Sequence, residues 1–255
     1  MELSLRDQLA VITGAGGGIG YATAVSFAGL GAKLALLDLD GEHTEATARE
    51  CKEIGSSCKA YTADVTDFGA LRRVFDQIHD DLGNIDILIN SAGIWRNTPI
   101  LETPDTTLDT IMNVNLKGSI NSIKLALPGM IEKRYGKIVS LASTAGKIGS
   151  ATGGIYYAAS KGAIIALTRS LAREFGVFNV YVNAVAPGLI ETPMGKLSAD
   201  PHGYEKGFQA YAQQCALKRI GKPEDVAAVI CFLASPLSSF VTGQVWNVCG
   251  GLIFD

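Results

Sequence analysis

The sequence predicts a doubly wound α/β domain: a parallel sheet of about seven strands with helices covering both faces. Three observations predict it. Short, nearly continuous apolar runs alternate with segments whose apolar residues recur at three- and four-residue spacing, almost to the end of the chain. The first run passes straight into a glycine cluster that opens a helical pattern. No Gly/Ser/Pro-rich linker, charge block or internal repeat interrupts the alternation, so residues 1–255 read as a single domain.

Taken in order, the strand candidates are Leu9–Thr13, Lys33–Asp38, Cys58–Ala63, Ile85–Asn90, Lys137–Leu141, Val180–Ala186 and Gln244–Val248. Helical spacing stands out over Ala22–Leu30, Leu71–Ile78, Leu108–Ile131 and Gly162–Phe175. The least regular stretch is Leu189–Leu217, which has no strand and carries Tyr204, Phe208 and Tyr211 among polar residues. Ligands of such sheets sit beyond the carboxyl ends of the strands, so this stretch is expected to form a mobile cover over the site.

Composition narrows the function. A hydrophobic content of 47% against 18% charged residues suits a filled core, and a chain of this size buries roughly three quarters of its unfolded surface without a disulfide or metal. The net charge of −3, with no run of Lys or Arg, offers no footprint for nucleic acid or an acidic membrane. The five cysteines are scattered, without CxxC or Cys/His metal spacing, and the three histidines (His43, His79, His202) stand far apart, so no metal site is expected. Met1–Asp7 lacks the pattern of a secretory leader, and no stretch of about twenty apolar residues is present. A cytoplasmic location is expected.

The glycine turn Thr13-Gly14-Ala15-Gly16-Gly17-Gly18-Ile19-Gly20 suits close approach of a pyrophosphate, which the following helix meets with free N–H groups and the positive end of its dipole. An acid ends the next strand: Asp38, eighteen residues beyond Gly20, placed to accept hydrogen bonds from adenosine ribose hydroxyls. Asp40 is its competitor and reads as the start of the next helix. Asp38 favours NAD over NADP. A 2′-phosphate beside a carboxylate meets repulsion of about 4 kcal/mol per charge pair at about 4 Å and an effective dielectric near 20, and no Arg or Lys lies in the turn to offset it.

Further on, Tyr157-Ala158-Ala159-Ser160-Lys161 puts a phenol and an ammonium four residues apart on one helix face. A phenol is a poor base at neutral pH, and a nearby cation with a helix amino end supplies the field that lowers its pKa.

With these residues in place the chain resembles the short-chain dehydrogenase/reductase family over essentially its whole length. The resemblance rests on the Thr13–Gly20 turn, Asp64-Val65, Asn90-Ser91-Ala92-Gly93, Asn115, Ser143, the Tyr157–Lys161 segment, Pro187-Gly188 and the tail from Arg219-Ile220-Gly221 to Gly250-Gly251. It implies a single Rossmann-type domain and an NAD-dependent oxidoreductase moving hydride between nicotinamide and a secondary alcohol or ketone. It further implies Tyr157 as acid/base, Lys161 on the nicotinamide ribose and as the cation that lowers the Tyr157 pKa, Ser143 on the substrate oxygen, and Asn115, rather than the neighbouring Asn113, anchoring a water. Gly14, Gly17, Gly18, Ile19 and Asp38 would hold the dinucleotide. Asp64 and Val65 would contact adenine, while Asn90, Pro187, Gly188, Ile190 and Thr192 would line the ribose and nicotinamide. The substrate pocket would be walled by Ile94, Trp95, Ile148, Ser150 and residues 189–217. A homotetramer or dimer is implied too, in keeping with the apolar richness of residues 108–131 and 157–175.

Four departures from the family pattern stand out: Ser91, Tyr181 where a basic residue is usual, Cys249 where an acid is usual, and Ser143 fourteen rather than thirteen residues before Tyr157. The adjacent Tyr156 would restore that count but not the spacing to Lys161, so a one-residue insertion around Thr152-Gly153-Gly154 is expected. Two other readings remain: a reductase of 3-oxoacyl thioesters, and a non-catalytic dinucleotide-binding subunit.

Overall fold

The computed structural model describes residues 3–150, 154–199 and 204–254. Seven strands form one parallel sheet in the order β3-β2-β1-β4-β5-β6-β7. They are β1 (Leu9–Thr13), β2 (Lys33–Asp38), β3 (Cys58–Thr62), β4 (Ile87–Asn90), β5 (Gly136–Leu141), β6 (Val180–Pro187) and β7 (Val245–Val248). The helices are α1 (Gly18–Gly29), α2 (Gly41–Glu53), α3 (Phe68–Leu82), α4 (Asp105–Met112), α5 (Gly118–Glu132), α6 (Ala145–Ile148), α7 (Ile155–Phe175), α8 (Pro193–Ala199), α9 (Tyr204–Gln214) and α10 (Pro223–Ala234).

The strands read as continuous apolar runs because both faces of the sheet are covered. On β1, Ala10 and Ile12 join a core with Phe27 of α1 and Val226 and Ile230 of α10. Leu9 and Val11 face the other layer, with Phe75 of α3, Met130 of α5 and Ala172 of α7. Successive side chains on a strand alternate, so one strand feeds two cores.

Strand positions match the sequence expectation, with ends shifted by up to two residues. The helical pattern over residues 108–131 divides into α4, a five-residue π turn at Asn113–Lys117, and α5. Leu189–Leu217 is less irregular than expected, since α8 and α9 both fall inside it. Tyr204, Phe208 and Tyr211 are spaced at i, i+4 and i+7, a helical period that polar neighbours had obscured. The insertion expected around Thr152-Gly153-Gly154 lies mostly outside the described residues, as does His202. Among the described residues, no helix is long and apolar enough to cross a membrane, and no cluster of His, Cys, Asp and Glu suits a metal.

Candidate active site

The chain steps outward from β1 through β2 to β3, then returns to the other side of β1 with β4. The carboxyl ends of β1 and β4 therefore open a crevice between connections that run in opposite directions, where such sheets bind ligands. A cavity of about 1120 Å³ occupies it. That exceeds the roughly 300–1,000 Å³ typical of a pocket for one small ligand, and leaves room for a dinucleotide with a substrate.

The glycine turn floors one end of the cavity. Gly14 has φ +71°, and a Cβ there would lie 2.6 Å from the backbone nitrogen of Ala92, so the turn closes directly onto the end of β4. At Gly17 a Cβ would meet nothing within 4 Å, although the residue lines the cavity. That open side is the approach a pyrophosphate needs, so the cradle fits a dinucleotide. Asp38 stands in the same wall, its Oδ2 accepting the Gly16 N–H at 2.9 Å and its Oδ1 the Asp40 N–H at 3.1 Å. These bonds fix the carboxylate beside the turn. Asp40 is instead the N-cap of α2, accepting the His43 N–H at 3.1 Å. Beyond β3, Asp64 and Val65 line the wall. The Asp64 carboxylate holds its own turn by accepting from the Thr66 N–H and hydroxyl, both at 2.8 Å.

The middle of the cavity is built by β5 and α7. Ser143 follows β5, and its Oγ accepts the Ala145 N–H at 3.1 Å while donating to the Tyr157 phenol oxygen. The longer spacing between these two residues thus leaves them in contact. Tyr157 lies in the first turn of α7 and faces the cavity, whereas Tyr156 is buried outside the wall. One turn on, Lys161 is buried, its Nζ donating to the Leu141 carbonyl at 2.6 Å and lying 5.6 Å from the Tyr157 ring centre. Burial pushes this ammonium down to about 8. Tyr157 departs from the sequence expectation. Burial raises its pKa above the ordinary phenol value, the Ser143 hydrogen bond opposes that rise, and Lys161 is not among the groups that lower it.

Asn115 sits in the π turn between α4 and α5, fully buried. Its Oδ1 accepts the Ile94 N–H at 2.8 Å, and its Nδ2 donates to the Ile94 carbonyl and to Ser160 Oγ, each at 3.0 Å. These three bonds tie the β4–α4 loop to α7. A single π turn inside a helix is frequently found at functional sites. Asn113, the rival amide, lines the cavity.

Pro187, Gly188, Ile190 and Thr192 line the wall after β6, and the Thr192 methyl would lie 3.3 Å from a Cβ on Gly18. Asn90 falls behind the lining formed by Ser91, Ala92 and Gly93; it is buried and donates to Ser140 Oγ at 3.2 Å. It supports the wall rather than forming it. Ile94, Trp95, Ile148 and Ser150 stand in the lining as expected.

The sequence reading passed over Thr144 and gave Tyr211 no role of its own. Tyr211, on α9, lines the cavity, and its phenol oxygen bonds the Thr144 side chain and accepts the Leu189 N–H. It thereby pins α9 to the turns after β5 and β6. Cys249 is buried behind Gly188, its thiol donating to the Ile253 carbonyl at 3.7 Å. Lys137 lies under Tyr181, 3.7 Å from its ring centre.

Comparisons with known proteins agree with this geometry. A family model described as enoyl-(acyl carrier protein) reductase matches residues 14–253. A 3-oxoacyl-(acyl-carrier-protein) reductase from Thermotoga maritima is 39% identical over 251 residues, spanning 98% of this chain and 100% of the relative. The crystal structure of levodione reductase superimposes with a TM-score of 0.93 at 33% identity, covering 97% of this chain and 98% of that one. A 3-oxoacyl-(acyl-carrier-protein) reductase from Brucella melitensis with bound NAD gives a TM-score of 0.90 at 35% identity, over 100% of this chain and 94% of that one.

Proposed function

The chain belongs to the short-chain dehydrogenase/reductase family of oxidoreductases, and from that premise we propose that it moves hydride between NAD and a secondary alcohol or its ketone, with Tyr157 as acid and base. The observation that carries the proposal is the convergence of Ser143, Tyr157 and Lys161 on one cavity floored by the glycine turn. Gly14, Gly17, Gly18, Ile19 and Asp38 would hold the pyrophosphate and adenosine ribose, Asp64 and Val65 the adenine, and Lys161, Pro187, Gly188, Ile190 and Thr192 the nicotinamide end.

The bound nicotinamide supplies a carbon that accepts or returns hydride. Tyr157 takes the proton of the substrate hydroxyl in oxidation and gives it back to the ketone oxygen in reduction. Ser143, held by the Ala145 N–H, would turn its hydroxyl proton from Tyr157 to that same oxygen when substrate binds, favouring the charge developing there. Lys161 is buried and short of partners, which suits it to gripping a ribose hydroxyl. Asn115 keeps the Ile94 loop and α7 in register, and would anchor a water leading to Lys161. With Asn115, Ser143, Tyr157 and Lys161 all present, the fold is equipped for turnover rather than for binding alone.

Asp38 supports NAD rather than NADP, because its carboxylate, held beside the glycine turn, would repel a 2′-phosphate on the adenosine ribose. A second reading, reduction of a 3-oxoacyl thioester, is favoured by the name of the Thermotoga maritima relative. The Brucella melitensis 3-oxoacyl reductase was solved with NAD bound, so this reading is compatible with NAD as the carrier. The test is an absorbance assay of secondary alcohols, ketones and a 3-oxoacyl thioester with each cofactor. Turnover with NAD is expected, and equal or better turnover with NADP overturns the cofactor reading.

The same reading makes the protein a homotetramer or dimer. Part of the apolar content of α5 and α7 packs inward, at Ile123, Met130, Ile164 and Ile165, while edge strand β7 leaves Trp246 half exposed. A single-chain mass by light scattering at micromolar concentration overturns the assembly.

A further inference from the structure

Beyond Tyr157 the cavity continues between the β4–α4 loop, α6, α8 and α9, and its chemistry there is one-sided. Among the described lining residues the charged groups are Asp38, Asp64 and Lys161, all on the cofactor side or at the reacting centre. Among the described residues, the nearby cations Lys147 and Arg96 stand outside the lining. Lys147 reaches away from it, donating to the Val245 carbonyl at 3.0 Å, and Arg96 donates to the Trp95 carbonyl at 3.0 Å from an exposed position.

Several polar side chains of the outer wall are partly engaged within the protein. Ser150 Oγ accepts the Gly154 N–H at 3.2 Å, Ser198 Oγ donates to the Gly195 carbonyl at 3.0 Å, and Gln214 Nε2 donates to the Ala210 carbonyl at 3.3 Å. Thr144 and Tyr211 bond each other. What remains facing the cavity is largely Trp95, Ile148, Leu189, Met194 and Leu252.

We propose, building on the hydride-transfer reading above, that the substrate is uncharged and poor in hydroxyl groups away from the reacting carbon: a hydrophobic ketone or secondary alcohol, or the acyl part of a thioester, and neither an oxo acid nor a polyol. A carboxylate entering this wall sheds water without gaining a cation among the described lining residues, and each extra hydroxyl exchanges water for a wall that is mostly apolar. Either loss lowers binding in the ground state and the transition state together.

The test compares three alcohols with NAD: 4-phenyl-2-butanol, 3-hydroxybutyrate and xylitol. The proposal expects kcat/KM for the first to exceed the other two by at least about 100-fold, the size of a few lost polar contacts. Equal or faster oxidation of 3-hydroxybutyrate or xylitol overturns it. If none is oxidised, the hydride-transfer reading is what has failed, and the substrate proposal is read by saturation-transfer NMR of the same three compounds. Selective binding of 4-phenyl-2-butanol upholds the proposal, and comparable binding of all three overturns it. Met194→Arg supplies a second arm, since it places a cation in the outer wall. It is expected to raise relative use, or relative binding, of 3-hydroxybutyrate at least about tenfold. An unchanged ratio overturns the proposal.

Discussion

At Tyr157 two influences oppose each other. Burial raises the phenol, while the Ser143 hydroxyl pulls it down, and burial is the larger. The phenol is therefore the resting form of this chain across neutral pH, and the base needed for oxidation forms on the alkaline side. Oxidation should accelerate with rising pH through the alkaline range, and reduction should hold its rate at neutral pH; profiles measured in both directions check this. Tyr157→Phe keeps the ring and removes the proton carrier, so turnover should fall by about 10²–10⁴-fold with the fold intact. NAD affinity, measured by calorimetry, should change little, because Asp38 and Lys161 are untouched. Asp38→Ala acts at the other end. It should weaken NAD and relax discrimination against NADP, and unchanged KM values for both cofactors would move the role to another acid.

Among the elements, the junction of β1 with α1 tolerates least. A Cβ on Gly20 would sit 2.0 Å from the Gly14 carbonyl oxygen, a backbone atom that cannot step aside. Gly20→Ala should destabilise the protein by about 1–3 kcal/mol or more through overpacking, read as a lower urea midpoint. Helix α9, which lines the cavity, is held differently, by the Tyr211 hydroxyl to Thr144 and Leu189. Tyr211→Phe should speed amide exchange over residues 204–214 while leaving the central strands as slow as before. Equal exchange would show that packing alone holds α9.

The sheet was legible in the sequence because each strand is a short apolar run bounded by breakers. Asp38 and the Tyr157–Lys161 pair were legible because their chemistry is tied to local spacing. Neither the π turn nor the helical nature of α9 was, since both depend on contacts from distant segments: Ile94 and Ser160 for Asn115, Thr144 and Leu189 for Tyr211. The pKa of Tyr157 was misread because spacing shows a neighbour's charge but not how deeply the pair is buried.

For the molecule as a whole, the most exacting residue lies away from the cavity. Lys137 of β5 is 1% exposed, has no carboxylate partner among the described residues, and donates to Ser238 Oγ at 3.0 Å. Burial lowers its pKa to about 8, against an ordinary lysine value near 10.4. Between those values the unfolded chain binds more protons than the folded one, so stability rises with pH across the window; below it the cost of the buried charge is full. Parent and Lys137→Met should therefore converge, or the parent gain, by up to about 3 kcal/mol as pH rises from 7 to about 10.5. Urea unfolding at the two pH values measures this, and a gap that does not move would place the charge in water.

The order of the sheet carries one more consequence. Residues that would choose the electron carrier come from 14–65, ahead of β4, and those that would perform the reaction come from 115–192, after it. The two groups meet across the crevice, at Gly18 with Thr192 and at Val65 with Gly118 and Asn121. Carrier choice and reaction are thus separable inheritances of one chain, and exchanging the first three strand–helix units with a relative should transplant the carrier while the substrate stays with the host.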